Sequence, residues 1–372
     1  MIDGVEDSPS WHGKPLGTHS KSIIDHIRAQ IKNPDVHLIP RVPVKEELKE
    51  DIIHHTVGEL SYKKGDKIST RLAFGNILKR MGDKDKRVIG IDADVKNSTF
   101  SIKLKEAHPD QFIDCYIAEQ NMVGVAVGTS KRHKIPFAST FATFFTRAAD
   151  HIRMGVVSQA NVKYVGTHVG VSIGTDGPSQ MGLEDISLFR GLPHALVFYP
   201  SDAVSMEHAM VHAVNYDGPV FIRCNRPDTP VLYDNSETFA IGDNKILRTH
   251  ELAKVTIVAA GITLNESLEA ANTLEAEGIH VNIIDLFSIK PLNAENIRQC
   301  AHRTNGVILC VEDHYPEGGL TDAVRAACSL DGFKIHQLAV MDVPRSGQPQ
   351  ELLEFFKIDR KAIHSKVKEI IA

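Results

Sequence analysis

With 372 residues, the chain is too long for one ordinary hydrophobic core, and its length predicts two domains. Its hydrophobic residues (42%) and charged residues (24%) have the proportions of a globular protein, and no run of about 18 apolar residues predicts a membrane span. A net charge of −5 at pH 7 provides no basic surface, which argues against nucleic acid or an anionic membrane as a partner.

Residues 1–63 differ from the rest of the chain. They combine short polar segments with a charged run at 45–51 and one helical pattern over 21–32. Because they contain too little apolar sequence to bury a core, we expect a leader or linker rather than an independent domain. The first eleven residues lack a basic region followed by an apolar run, so no signal peptide is predicted.

Strand and helix patterns alternate from residue 64 to residue 230. A first helix is predicted to begin at Ser69 or Thr70 and to end at Gly82. Buried strands are predicted at 88–91, 112–117, 163–166, 195–199 and 220–223. Helices are predicted between them at 121–130, 146–159 and 203–214. This alternation predicts a parallel sheet covered by helices on both faces.

A second series of the same kind occupies residues 250–372, beyond a polar stretch that we interpret as the domain boundary. Its strands are predicted at 255–259, 281–285, 306–311 and 335–340, and its helices at 264–277, 294–301, 320–329 and 351–356. The predicted fold class is therefore α/β, with two domains that each contain a mostly parallel sheet covered by helices.

The cysteines favour a reducing compartment. Their number, five, is odd, and no two of them have the C-x-x-C spacing. Because disulfides are typical of secreted proteins, we expect a cytoplasmic protein.

Ligands of such sheets bind beyond the carboxyl ends of the strands, so the polar residues that follow strands are candidates for a site. They are Asp92, Asp94, Glu119, His168, Asp176, Arg226 and the run Glu312–His314.

Glu119 lies between a predicted strand and a helix of small residues. It could cap that helix, where the helix dipole favours a negative charge. Alternatively, it could be a buried carboxyl beside a heterocycle. Burial raises the pKa of a carboxyl, and a protonated carboxyl can donate to a ring nitrogen. The position alone leaves both interpretations open.

Two further segments carry unusual composition. Phe141 and Phe144 are three residues apart, on one face if the segment is helical, and could form an apolar shelf for a flat ring. The alternative is a buried aromatic patch. His168 directly follows a strand and opens a loop with four glycines between 166 and 177, which favours proton transfer or a hydrogen bond to substrate.

Six motifs, in family order and across both predicted domains, resemble those of transketolase of the animal type. They are Trp11–Leu16, Lys96–Ser101, Glu119–Met122, Asp176–Gln180, Val311–Tyr315 and Val343–Gly347. The resemblance covers almost the whole chain. It implies a remnant of the diphosphate-binding domain at 1–63, a pyrimidine-binding domain at 64–230 and a transketolase C-terminal domain at 250–372.

The resemblance implies thiamine diphosphate as the cofactor. Glu119 would contact its pyrimidine nitrogen and begin its activation, Phe141 and Phe144 would flank the ring, and Gln180 would lie near it. His12 would sit close to the diphosphate.

The resemblance also implies sugar phosphates as substrates, bound by His12, Lys14, Arg71, Ser98, His168, Asp176 and Arg226. Arg71, Ser98 and Arg226 would hold the phosphate of the acceptor, since the planar fork of arginine suits that group. His168 would bind the donor ketose and help to move protons, and Asp176 would bond a sugar hydroxyl. A homodimer is implied, with Phe141 and Phe144 exposed where the missing domain would cover them.

The sequence departs from the family pattern in two ways. Thr175 stands where an acidic residue is expected before Asp176. The sequence also lacks the Gly-Asp-Gly…Asn pattern that binds magnesium in the family, so ligands for this second cofactor are absent from the chain. We expect Met1 to be an internal methionine of the family pattern, as in an incomplete gene model, a short isoform or a degenerate copy.

Three hypotheses follow for the function. The chain could transfer ketol units together with a missing domain, or it could be a truncated product that folds without catalysis. The third hypothesis, a β-type subunit of a 2-oxo-acid dehydrogenase, is disfavoured by the phosphate-binding set and by the Trp11–Leu16 motif.

Overall fold

The computed structural model describes residues 15–33, 35 and 53–372. The chain divides into two compact units, one ending at Ile52 and one beginning at Ile53. In the first unit, α1 (Ser20–Gln30) confirms the helix predicted over 21–32. The predicted site residues His12 and Lys14 lie outside the described residues.

The second unit contains two main sheets, and the first of them has seven strands. In chain order these are β2 (Val88–Asp92), β3 (Phe112–Asp114), β4 (Ile135–Phe141), β5 (Lys163–Thr167), β6 (Leu196–Phe198), β7 (Val220–Arg223) and β12 (Ser288–Lys290). Their order in space is β12-β6-β7-β5-β4-β2-β3, and every pairing is parallel except that of β12 with β6. A short antiparallel pair, β1 (Lys67–Ile68) and β8 (Thr229–Pro230), lies apart from this sheet.

Helices cover this sheet, and the longer ones, α2, α5 and α8, bury several apolar residues each. They are α2 (Thr70–Lys84), α3 (Lys96–Thr99), α4 (Ile102–Ala107), α5 (Glu119–Ser130), α6 (Ala149–Val157), α7 (Asp185–Arg190) and α8 (Ala203–Asn215). The start of α8 is fixed by a capping box in which the Asp202 carboxylate accepts the Ser205 N–H at 2.8 Å. α2 continues two residues beyond the predicted end at Gly82.

The second sheet has five strands, in the order β14-β13-β10-β11-β9. They are β9 (Lys245–Arg248), β10 (Val255–Ala259), β11 (Val281–Asp285), β13 (Val307–Val311) and β14 (Lys334–Leu338), of which only β9 is antiparallel to its neighbour. The helices are α9 (Gly261–Ala276), α10 (Glu295–Arg303), α11 (Leu320–Ala327), α12 (Pro349–Phe355) and α13 (Arg360–Ile371). The predicted fold class, α/β with mostly parallel sheets covered by helices, is confirmed. No helix among the described residues is both long and apolar enough to cross a bilayer.

The strand β12 connects the domain of the first sheet with the domain of the second sheet. It lies in the chain after β11 of the second sheet, yet it pairs with β6 at the edge of the first. A buried carboxylate reinforces this connection: Asp285, at the end of β11, accepts hydrogen bonds from the hydroxyls of Ser201 (2.7 Å) and Tyr233 (2.6 Å). The two domains therefore share both a sheet edge and a polar core.

The buried carboxyl of Asp285 should make the free energy of unfolding depend on pH. Burial raises the pKa of this carboxyl from 3.8 to about 7. The folded protein therefore keeps a proton that the unfolded chain releases, so the stabilisation is complete below about pH 4 and is lost as the pH rises to about 7. Between these pH values, we expect the free energy of unfolding to fall less in Asp285→Asn than in the wild type. Urea titrations across this range would measure it, and identical slopes would contradict the prediction.

Candidate functional site

The residues 168–180, which we call the glycine loop, follow β5 at the carboxyl edge of the first sheet. Gly170 has a φ of +71°, and a Cβ at this position would collide with the carboxylate of Asp313. Only glycine fits such a backbone conformation and such a close approach. His168 has a φ of 58°, a conformation that costs energy for a residue with a side chain. The loop is thus held in one strained, closely packed shape.

The imidazole of His168 is buried and stacks on the ring of Phe141, with 3.7 Å between ring centroids. Its Nδ1 lies 2.9 Å from the hydroxyl of Thr167. Burial, together with the positive charges of Arg71 and Arg226, lowers the pKa of His168 to about 3. The ring is therefore neutral near pH 7, and can exchange hydrogen bonds with a ligand but carries no charge.

Phe141 and Phe144 form the predicted aromatic pair, although not on one helix. Phe141 ends β4, whereas Phe144 lies in a 3₁₀ helix over Ala142–Ala148, and their rings stack with centroids 5.2 Å apart. Phe141 is only 7% exposed because His168 covers its other face. The expectation that both rings are exposed is therefore wrong for Phe141.

Glu119 is the first residue of α5, and its carboxyl is almost fully buried. No N–H group of α5 donates to it, which weighs against the capping interpretation, and its Oε2 has no hydrogen-bond partner. Arg147 Nη1 lies 3.2 Å from Oε2, but the angles do not make a hydrogen bond and the arginine is 56% exposed. A water-screened contact of this kind contributes little. The carboxyl therefore has spare bonding capacity toward a ligand.

Two half-buried arginines converge near the glycine loop. Arg71, in the first turn of α2, donates to the carbonyl oxygens of Ser98 (2.7 Å) and Arg226 (3.2 Å). Arg226 follows β7, donates to the Ile173 carbonyl at 2.6 Å, and lies 3.7 Å from the Asp176 carboxylate. Burial and the neighbouring Arg226 lower the pKa of Arg71. The structure thus brings Arg71, Ser98, Arg226 and Asp176 together, within electrostatic reach of His168.

The remaining predicted residues are less constrained. Gln180 is half-buried at the end of the glycine loop, and Thr175 is exposed in it. Asp92, by contrast, is fully used by the fold, since its carboxylate accepts from three hydroxyls at 2.9–3.0 Å, those of Thr99, Ser101 and Ser139. It also accepts the Val95 N–H at 2.7 Å, and so it shapes the turn that carries Ser98. The sequence marked Asp92 as a strand-end carboxylate without showing this supporting role.

Arg147 was not among the predicted site residues. It lies beside Glu119 only because the 3₁₀ helix turns directly after β4, a strand that the sequence pattern did not predict. The sequence offered one hint, since Arg147 ends the aromatic segment that begins at Pro136.

Two protein-family models match the chain. One, described as transketolase, pyrimidine binding domain, matches residues 66–231, and the other, transketolase, C-terminal domain, matches residues 244–363. A transketolase-like protein 2 of Mus musculus and a transketolase of Homo sapiens are each 48% identical to this chain over 374 residues. Both alignments cover all of this chain, which spans 60% of the length of each relative.

Solved structures resemble most of the chain. A split gene transketolase, described as an inactive beta4 tetramer, is 36% identical with a TM-score of 0.73, over 82% of this chain and 98% of that one. A transketolase from Campylobacter jejuni has the same TM-score at 21% identity, over 84% of this chain and 48% of that one. At such low identity, the second likeness shows the fold alone.

Proposed function

Since this chain belongs to the transketolase family, we propose that it forms the pyrimidine and substrate side of a site for ketol transfer. In this reaction a two-carbon ketol unit moves from a ketose phosphate to an aldose phosphate. One observation carries the proposal: three features lie at the same edge of the first sheet. They are the buried carboxyl of Glu119, whose Oε2 lacks a hydrogen-bond partner, the stacked rings of Phe141 and Phe144, and the half-buried side chains of Arg71 and Arg226. The domain boundaries at 64–230 and 250–372 remain part of the proposal.

The residues at this edge fit the pyrimidine of thiamine diphosphate. The Oε2 of Glu119, which has no hydrogen-bond partner among the described residues, can bond a ring nitrogen. Phe144 presents a half-buried ring next to the covered ring of Phe141, and Gln180 would lie near the same group. When bound, thiamine diphosphate supplies the carbon nucleophile that carries the two-carbon unit.

The charged part of the site fits a sugar phosphate. Arg71 and Arg226 keep donors that their backbone bonds leave unused, and a phosphate placed between them would relieve the repulsion of two neighbouring cations. Ser98 would complete this phosphate site. His168 and Asp176, from the glycine loop, would bind hydroxyls of the sugar, and the neutral imidazole could pass a proton between them.

The residues present do not fit the magnesium ion. Among residues 15–33, 35 and 53–372, no group of three or more histidine, cysteine, aspartate or glutamate side chains is arranged to hold a metal. We propose that the ligands of the metal and most of the diphosphate site belong to a domain outside this chain. His12, from the leader, would lie close to the diphosphate and the substrate, with Lys14 beside it as a substrate-binding residue.

A non-catalytic product is the second candidate. It is favoured by the name of the split-gene relative, which is described as inactive. The third hypothesis, a dehydrogenase subunit, has no comparable support.

We further propose a homodimer that works in the cytoplasm. On α5, a Cβ added at Gly124 or at Gly128 would meet no atom of the described residues within 4 Å outside the backbone of this helix, so the helix has room for a close neighbour. Tyr116 and Ile117, just before α5, are 72% and 70% exposed. These two exposed apolar side chains and the open positions on α5 are the surface that we propose for self-association. The split-gene relative, described as a tetramer of its beta chain, is consistent with self-association.

The direct test is ketol transfer by a completed chain, in which this sequence follows the amino-terminal part of a 48% identical relative. Transfer from xylulose 5-phosphate to ribose 5-phosphate would support the proposed function. A folded, cofactor-binding protein without transfer would instead support the non-catalytic candidate.

Arg226→Ala in the completed chain tests the phosphate site. Charge-assisted hydrogen bonds contribute about 1.5–3 kcal/mol each, so we expect KM for ribose 5-phosphate to rise roughly ten- to hundredfold. KM for an unphosphorylated aldose should change far less. Arg360→Ala, which breaks an ion pair with Glu266 in the second domain, is the control and should change neither. An equal effect of Arg226→Ala on both acceptors would rule out the phosphate role.

A further inference from the structure

The second domain reaches the glycine loop through Asp313, a buried residue that follows β13. Both of its carboxylate oxygens are used by the first domain. The Oδ1 atom accepts from Arg223 at 2.7 Å, and the hydroxyl of Tyr199 lies 3.0 Å from Oδ1 and 2.9 Å from Oδ2. Both oxygens of this carboxylate therefore bond side chains of the first domain.

Arg223 links the Asp313 carboxylate to the glycine loop. Its guanidinium is fully buried at the end of β7 and also pairs with Asp185, at 2.7 and 3.2 Å. Its Nη2 donates to the carbonyl of Gly182 at 3.0 Å. Because a buried guanidinium has a fixed planar geometry, it holds its acceptors at defined positions.

The carbonyl of Gly182 also holds the glycine loop. It accepts the N–H of Gly170 at 2.8 Å, while the N–H of Gly182 donates to the carbonyl of His168 at 3.2 Å. His168 and Gly170 both have positive φ angles, so their turn needs such bonds to stay populated. Gly170 itself packs directly on the Asp313 carboxylate.

The second domain supports the loop at two more places. A Cβ at Gly174 would lie 3.0 Å from the ring of Pro349, and one at Gly177 would lie 2.6 Å from the hydroxyl of Ser346. The loop that carries Asp176 therefore contacts the second domain at three of its glycines, Gly170, Gly174 and Gly177.

We infer that Asp313 is a positioning residue: through Arg223 and Gly182, it fixes the turn that presents His168. The inference deepens the proposed function and rests on it for the role of His168. It gives the second domain a part in the site, although none of the residues proposed to contact substrate belongs to that domain. Asp285 also joins the domains, but its partners Ser201 and Tyr233 lie outside the glycine loop.

The test observes the imidazole of His168 directly by NMR and needs no turnover. Its outcome is therefore independent of whether the chain transfers ketol units. In the ¹³C-histidine-labelled 372-residue chain, stacking on Phe141 shifts the imidazole proton signals of His168, which His168→Gln identifies. We expect Asp313→Asn to move these signals toward those of an unstacked histidine. A residue that contributes only stability leaves the signals of the folded molecules unchanged.

Two further variants make the result decisive. Glu266→Gln removes one charge from the ion pair with Arg360 at 2.8 Å in the same domain, and it should leave the His168 signals in place. Tyr199→Phe removes only a hydroxyl, which contacts Asp313 and also the Oδ1 of Asn225 at 2.9 Å, and it should move the His168 signals in the same direction as Asp313→Asn, but less. If Asp313→Asn does not fold, Tyr199→Phe decides the question.

Amide exchange provides the second measurement. Removing the Asp313 charge should speed exchange at Gly170 and Gly182 about tenfold or more relative to amides of β10 and β13. Unchanged His168 signals in folded Asp313→Asn, or in Tyr199→Phe when the first variant is unfolded, would overturn the inference. Exchange that rises equally throughout the protein would overturn it as well.

Discussion

The 372-residue chain by itself is expected to transfer ketol units from xylulose 5-phosphate to ribose 5-phosphate no faster than buffer. The diphosphate carries most of the charge of the cofactor, and metal ions and backbone N–H groups are what usually hold such a group. Among the described residues, no cluster of acidic, cysteine or histidine side chains can hold the metal. Stacking on Phe144 and one bond to Glu119 are then the main contributions to binding.

A coupled assay of product formation, run at several protein concentrations, measures the transfer rate of the 372-residue chain. The completed chain is the positive control, and far-ultraviolet circular dichroism should show that the shorter chain is folded. Turnover by the shorter chain near that of the completed chain would contradict the prediction and the assignment of the diphosphate site to another domain.

Glu119→Ala in the completed chain is expected to abolish measurable transfer while the fold stays intact. General acid–base groups typically contribute about a hundred- to ten-thousandfold to a rate, and alanine can neither donate nor accept a proton. Glu119→Gln, which keeps the shape but cannot release a proton, should also be severely impaired.

Melting temperature and rate, measured on the same sample, separate this role from helix capping. If Glu119 were mainly a cap, its removal would lower stability by roughly 1 kcal/mol and spare the rate. Arg147→Ala provides a neighbouring control, because Arg147 touches the same carboxyl from a solvent-exposed position. A fully active Glu119→Ala with a lowered melting temperature would restore the capping interpretation.

Strands buried on both faces were predictable because they are short, continuous apolar runs. The predictions for β2, β7 and β10 are confirmed almost residue for residue. The edge strands β9 and β12 were not predicted, since they are three or four residues long and contain lysine or arginine. Their pairing depends on partners that lie far away in the sequence, which no local pattern shows.

β4 and α13 were missed for different reasons. Pro136 lies inside β4, and proline counts against a strand, while the spacing of Phe141 and Phe144 favoured a helix. For α13, a usable indication existed: Asp359 caps this helix by accepting the N–H of Ala362 at 3.1 Å. An aspartate before a run of helix-forming residues would have predicted it.

The sequence indicated which polar residues lie at the carboxyl edge of the first sheet, but not the contacts that they make there. Strand-end logic pointed to Glu119, His168 and Arg226 because the ends of parallel strands meet at one edge. The stacking of His168 on Phe141 was not predictable. It depends on the positive φ of His168, a conformation that is rare for residues other than glycine. The support from Asp313 depends on the packing of two domains, which the sequence does not show.

The exchange of β12 between domains has a consequence for biosynthesis. A ribosome must complete β9, β10 and β11 of the second domain before β12 can close the edge of the first sheet at β6. Until then, the nascent chain presents a row of unpaired backbone groups, which other chains can pair with. A gene cut between the two domains would make this transient state permanent. The second domain thus supplies the strand that completes the first sheet, and we expect the two domains to fold best when they are expressed as one piece.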